Sequence, residues 1–179
     1  MSYCDYVNTT TPETADLLLH RHYHDHQYGF PIEEDDELFG RLLLEINQAG
    51  LSWTLMLRKQ EGFRKAYSGF SIEAVAAYTE EDVARLLNDP GIIRNRLKVN
   101  AAITNARKIL ELREENSTFK GWLDAHHPLP KEQWVKLFKK NFRFVGGEIV
   151  GEFLMSTGYL PDAHTPDCPV YEKINGVQR

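Results

Sequence analysis

Residues 33–53 read Glu-Glu-Asp-Asp-Glu-Leu-Phe-Gly-Arg-Leu-Leu-Leu-Glu-Ile-Asn-Gln-Ala-Gly-Leu-Ser-Trp. The block Glu33 to Glu37 places negative charge where a helix N-terminus favours it. Leu38, Phe39, Leu42 and Ile46 then fall on one face at a 3.6-residue period, and Gly50 is a natural stop. At about 100° per residue, Glu45 lies roughly 20° from Leu38, at the border of that face. A boundary glutamate with its head in water is the ordinary outcome. A carboxylate turned into a pocket, as hydrogen-bond acceptor or general base, is the alternative. Trp53, eight residues on, could stack on a flat ligand beside it.

Helical signals continue outward. Thr79-Glu80-Glu81-Asp82 has the form of a capping box with Asp as the closing acid, opening a short helix through Val83, Leu86 and Leu87. Asp89-Pro90-Gly91 breaks it. Ile92, Val99, Ile103, Ala106 and Leu110 mark a longer amphipathic helix. After Pro128 and Pro130 comes a helix with Trp134, Leu137 and Phe138. A bend at Phe144-Val145-Gly146-Gly147 leads into a helix with Ile149, Val150, Phe153 and Leu154 that stops at Gly158. The tail, Pro161 to Arg179, reads as irregular. Strand signals are scarce, so the expected class is all-α, in one domain spanning 1–179.

Composition agrees with a globular chain: 179 residues, 42% hydrophobic and 26% charged. The apolar run from Leu38 to Leu51 is interrupted too often to span a bilayer, so no membrane partner is expected. The N-terminus lacks the basic and apolar regions of a secretory signal. Cys4 and Cys168 cannot make a disulfide framework, and free thiols suit a cytoplasmic protein. The net charge of −5 argues against binding nucleic acid by global charge, yet Lys136, Lys139, Lys140 and Arg143 form a local basic block.

Two further patterns carry chemistry. His20, His22, His24 and His26 alternate in one run; taken alone, this is a polar, partly exposed segment. His164 and Cys168 form an H-x3-C pair near the other end, with Cys4 at the start. One early histidine with Cys4, His164 and Cys168 would make a Cys2His2 set that suits zinc and ties the termini together. Gly146 and Gly147 open a helix whose free amides could take a nucleic-acid phosphate, with Lys139, Lys140 and Arg143 alongside. An ordinary helical hairpin with solvated lysines is the plainer reading.

Together these motifs resemble the DNA-3-methyladenine glycosylase I family of the helix-hairpin-helix glycosylase superfamily. The resemblance rests on Tyr23-His24-Asp25 with Gly29 and Pro31, on Leu44-Glu45 with Gln48 to Trp53, and on Gly91 to Arg94 with Arg96 and Lys98. Lys139-Lys140 with Phe142 to Gly146, His164 and Cys168 complete it. It implies a helix-hairpin-helix glycosylase fold of two helical lobes, with the hairpin at about 132–158. It selects His24 as the early ligand of a structural Zn2+ held with Cys4, His164 and Cys168. It implies that Glu45 bonds an extruded 3-methyladenine, that Tyr23 helps read the base and that Trp53 stacks on it. Tyr6 and Tyr28 stand where typical members have tryptophan and are expected at the pocket. Members often carry tyrosine near the place of His20. Lys140, Phe144, Gly146 and Gly147 would grip the DNA backbone. The implied partner is double-stranded DNA with alkylated bases, acted on by a monomer that releases free 3-methyladenine. Asp162 stands near the place of a catalytic aspartate in the wider superfamily and receives no role. The competing expectations are a DNA-binding relative without turnover or with altered specificity, and a zinc hydrolase built on the histidine run.

Overall fold

The computed structural model describes residues 1–176. Among the described residues eleven α-helices follow one another: α1 (Tyr3–Thr9), α2 (Ala15–His26), α3 (Asp35–Gln48), α4 (Trp53–Ala66), α5 (Ile72–Ala76), α6 (Glu80–Leu87), α7 (Arg96–Asn116), α8 (Phe119–His126), α9 (Lys131–Asn141), α10 (Gly147–Ser156) and α11 (Tyr171–Asn175). No strand occurs among the described residues. The all-α expectation holds.

α3 is the central element. It packs against α4, α7, α8 and α10. Every residue from Leu38 to Asn47 is buried, including Arg41 and Glu45. The helix therefore has no solvent face over those turns, and the boundary position expected for Glu45 does not exist. Gly40 makes this packing possible, because a Cβ there would lie 2.4 Å from the Phe70 ring. Asp35 joins the helix to its neighbours. Its carboxylate accepts the amides of Phe119 and Lys120 at 2.7 and 2.9 Å and an Arg113 N–H at 2.9 Å. It thereby supplies acceptors for orphan donors at the start of α8.

The expected capping box on α6 is present, with Thr79 N–H donating to Asp82 at 2.9 Å. α7 starts later than Ile92. The Asn95 side chain caps it by accepting Lys98 N–H, so Ile92 is buried in the preceding turn. The tail also departs from expectation: it contains α11, and residues 177–179 lie outside the described residues. The sequence reading placed no helix before residue 33, yet α1 and α2 are there. Ser2 and Asp5 form a capping box on α1, and Thr14 caps α2. α2 sorts the alternating histidines onto two faces: His20 and His24 are buried, whereas His22 and His26 are exposed.

Candidate active site and metal centre

A cleft of about 420 Å3 opens between the ends of several helices. α3 contributes Glu45 and Gln48, and the turn after it contributes Ala49, Gly50 and Leu51. α2 and its following turn bring Tyr23 and Tyr28. α4 opens with Trp53, α10 presents Glu148, Ile149 and Glu152, and α1 presents Tyr3. Gly50 ends α3 with φ +80°, a left-handed conformation that bends the chain round the cleft rim.

Glu45 is 4% exposed. Burial pushes its carboxyl up to about 8; Arg41 opposes the shift and Glu152 adds to it. The two carboxyls thus feel each other, and burial also raises that of Glu152, with a further contribution from Glu148. Arg41, one turn before Glu45, donates to the Tyr23 hydroxyl and the Ser156 carbonyl, each at 3.3 Å. Its guanidinium also sits 5.0 Å from the Tyr23 ring centroid. Arg41 therefore holds Tyr23 at its hydroxyl and against its ring, and burial keeps its phenol protonated. Trp53 lies 5.2 Å from Tyr23, centroid to centroid. Its Nε1 is buried without a hydrogen-bond acceptor among the described residues. An acid, a phenol and an indole around one slot suit a flat, electron-poor heterocycle.

The structure thus brings Glu45, Tyr23, Tyr28 and Trp53 together. It does not place Tyr6 with them. Tyr6 is absent from the cleft lining and stacks behind Tyr3, with centroids 6.4 Å apart and planes at 12°. Tyr3 occupies the wall instead, a position sequence reasoning missed. Asp162 borders two other clefts, one beside His127 and one beside Leu129, and not this one.

The hairpin joins α9 to α10 and shares α10 with the cleft. Phe142 and Val145 anchor its turn in the core, while Phe144 has φ 59° and is 39% exposed. Asn105 clamps the turn from α7, accepting Arg143 N–H at 2.7 Å and donating to the Arg143 carbonyl at 3.1 Å. Gly146 caps α10 and Gly147 opens it; a Cβ on either would meet nothing within 4 Å. The space over the first amides of α10 is therefore open, and Lys139 and Lys140 are exposed at the end of α9.

Cys4, His24, His164 and Cys168 form a buried cluster whose ligand atoms all lie within 4.8 Å of one another. His24 Nε2 is 3.4 Å from Cys4 Sγ and 3.6 Å from Cys168 Sγ; His164 Nδ1 is 3.5 and 3.4 Å from the same two sulfurs. The other nitrogen of each ring has an acceptor. His24 Nδ1 donates to Asp25 at 2.7 Å, and His164 Nε2 donates to the Tyr28 carbonyl at 2.8 Å. Those bonds turn an imidazole lone pair from each ring towards the thiols, the arrangement a metal ion requires. The cluster could hold a metal ion joining α1, α2 and the C-terminal segment. The bond to Tyr28 ties it to the cleft wall. Gly29 permits this approach: its φ is +83°, and a Cβ there would lie 2.8 Å from both Ala163 and Ile174.

Fold and site together define an all-helical protein with an acidic, aromatic cleft, a glycine-containing hairpin beside it and a thiol–imidazole cluster that joins its ends. Residues 14–135 match the methyladenine glycosylase family. The chain is 35% identical to DNA-3-methyladenine glycosylase 1 of Escherichia coli (strain K12), over 83% of this chain and 89% of the relative. It is 30% identical to the DNA-3-methyladenine glycosylase of Haemophilus influenzae, over 91% and 98%. Among solved structures it superposes on the 3-methyladenine DNA glycosylase I of Staphylococcus aureus with a TM-score of 0.80, at 29% identity, covering 94% and 97% of the two chains. It also superposes on a variant 3-methyladenine DNA glycosylase I in complex with 3-methyladenine, with a TM-score of 0.81, at 29% identity, covering 95% and 97%. The chain belongs to the methyladenine glycosylase family.

Proposed function

We propose that this protein is a monofunctional DNA glycosylase that hydrolyses the N-glycosidic bond of 3-methyladenine in alkylated double-stranded DNA. The observation that carries the reading is Glu45, a nearly fully buried carboxyl at an aromatic cleft of about 420 Å3, large enough to admit a purine base. At neutral pH burial holds this group mostly protonated. A purine alkylated at N3 carries positive charge, and its entry favours the ionised carboxylate. Tyr23, Tyr28 and Trp53 surround such a cation with π faces. Neutral adenine gains neither term.

The damaged nucleotide must leave the stack to reach the cleft, at a lower cost than for a normal base. The glycosidic bond then breaks heterolytically. Its electron pair goes to the cationic base, which leaves neutral, and the sugar becomes an oxocarbenium ion. Water adds to the sugar carbon and loses a proton. No strong general acid is needed, because the base already carries the charge. Lys98, close to the cleft rim, donates to the carbonyls of Asn47 and Ala49, so we assign no Schiff-base lysine and no strand cleavage. The α9–α10 hairpin, with Lys140, Phe144, Gly146 and Gly147, grips the backbone beside the flipped nucleotide.

We assign zinc to the cluster of two cysteines and two histidines. Ligand distances of about 2.3 Å to sulfur and about 2.0 Å to nitrogen give a tetrahedral sulfur–nitrogen edge of about 3.5 Å. The four observed separations, 3.4 to 3.6 Å, agree with that figure. A closed site of four protein ligands supplies structural support and no open position for a substrate, which disfavours a zinc hydrolase. Thiol ligands suit the reducing cytoplasm. The protein acts as a monomer, in one domain of two helical lobes.

Base recognition is tested by titrating the protein with 3-methyladenine alkylated also at N9, which keeps the positive charge of the damaged nucleoside, and following tryptophan fluorescence. Saturable binding that weakens in Glu45→Gln, with adenine bound far more weakly, is expected. Equal affinity for the two bases would remove the basis of the assignment.

A further inference from the structure

One wall of the cleft is made by a side chain with no assigned role. Tyr3 stands on α1 immediately before Cys4, so the thiol–imidazole cluster also holds its backbone. Its ring stacks on Tyr6 behind it. It meets Tyr28 edge-on, with centroids 5.2 Å apart and planes at 85°, and lies 6.4 Å from Tyr23. Its hydroxyl is 2.9 Å from His20 Nδ1 and 3.3 Å from the His20 carbonyl. His20 is 5% exposed, and its Nε2 lies 2.8 Å from Thr54 Oγ1. A continuous line of hydrogen bonds thus runs from α4 through α2 to α1, beginning at the residue after Trp53.

This line has consequences for the cleft. The Tyr3 hydroxyl is engaged by His20, so what Tyr3 offers a ligand is its ring. Burial holds the His20 imidazole below its ordinary range, and Asp16 opposes that shift only in part. The ring is therefore neutral at neutral pH, with one nitrogen donating and the other accepting, and places no cation beside a site that receives one. A phenol hydrogen-bonded at one end and stacked along one face has little rotamer freedom left, so it meets a ligand pre-positioned.

We propose that Tyr3 is a base-contacting wall of the cleft and that His20, braced by Thr54, is the side chain that positions it. The ligand is a planar purine alkylated at N3, and Tyr3 takes the place expected of Tyr6. The inference rests on the base-binding reading of the cleft.

The test uses the full, metal-loaded chain and free 3-methyladenine, with binding followed by Trp53 fluorescence and metal content and melting measured for each variant. Tyr3→Ala should weaken binding about tenfold or more, given the stacking and burial lost. Two His20 variants separate positioning from bulk. Asn can place a polar atom where His Nδ1 stands and keep the bond to Tyr3. Gln reaches instead to the Nε2 position and keeps only Thr54. His20→Asn should therefore recover most of the affinity that His20→Ala loses, and His20→Gln should not. Should Tyr3→Ala fail to fold, the His20 pair, which leaves the ring in place, decides. Binding by Tyr3→Ala within twofold of wild type would overturn the proposal, as would equal behaviour of His20→Asn and His20→Gln. If the wild-type chain binds no 3-methyladenine, the base-binding reading falls, and this inference with it. A wild type that binds while Tyr3→Ala is unaffected removes the inference alone.

Discussion

Replacing Glu45 with glutamine should change how stability depends on pH, in a direction set by burial. In the folded chain the carboxyl is pushed up from 4.5 to about 8, chiefly by desolvation. Between those values the folded state holds a proton that the unfolded state releases. The stabilisation linked to that proton is complete below about pH 4.5 and is lost as pH rises through about 8. The interval corresponds to about 5 kcal/mol at most. Side-chain relaxation and water entering the open cleft reduce this to roughly 2–3 kcal/mol. Glutamine has nearly the shape of the neutral acid and cannot ionise. Glu45→Gln and wild type should therefore be similarly stable at pH 5. At pH 9 the variant should be more stable by roughly 2–3 kcal/mol, or about 5–10 °C in Tm. Urea unfolding followed by circular dichroism at the two pH values measures this. The rest of the chain is common to both proteins, so the difference between them reports Glu45 together with its coupling to Glu152. A stability difference that is the same at pH 5 and pH 9 would refute the argument that Glu45 is held protonated by burial.

Three further outcomes follow from other parts of the molecule. Cys168→Ser should lose its bound metal, measured by elemental analysis, and melt about 10 °C or more below wild type, because the cluster joins both ends of the chain. Asp35→Ala leaves the Phe119 and Lys120 amides and Arg113 without their shared acceptor. It should cost about 2–4 kcal/mol of folding stability in urea unfolding while leaving 3-methyladenine affinity unchanged. Lys140→Ala should weaken binding to duplex DNA of any sequence and lower the slope of log K against log salt by about 1, as measured by fluorescence anisotropy. Retention of the wild-type slope would show that Lys140 engages no phosphate.

Helices α3, α6, α7, α9 and α10 were legible because their buried positions are apolar and periodic, whereas no reading marked α4, α5, α8 or α11. α3, α6, α9 and α10 all carry that signature, and the capping residues of α6 stand at the expected spacing. α1 and α2 escaped because their buried faces are largely tyrosine, histidine and cysteine, which do not register as a hydrophobic stripe. In α2, His20, Tyr23 and His24 share the inner face at helical spacing, and alternation in the sequence disguised it. The wheel angle put Glu45 beside Leu38 correctly. Whether that edge met water depended on α4, α7, α8 and α10 closing round α3, which no local pattern states. Tyr3 and Tyr6 differ for the same reason: both are aromatic residues at the start of the chain, and a hydrogen bond to a residue 17 positions away selects the one that faces the cleft.

The central claim, that Glu45 and the aromatic cleft excise an alkylated base, is tested most directly by incubating the protein with methylated duplex DNA and separating the released bases by chromatography. Wild type should release free 3-methyladenine and leave the strand uncut, and Glu45→Gln should release it roughly tenfold to a hundredfold more slowly at subsaturating DNA, on the order expected for losing a charge-assisted hydrogen bond to the extruded base. A folded, metal-loaded wild type that binds the DNA and releases no base would contradict the account and identify a DNA-binding relative that does not turn over.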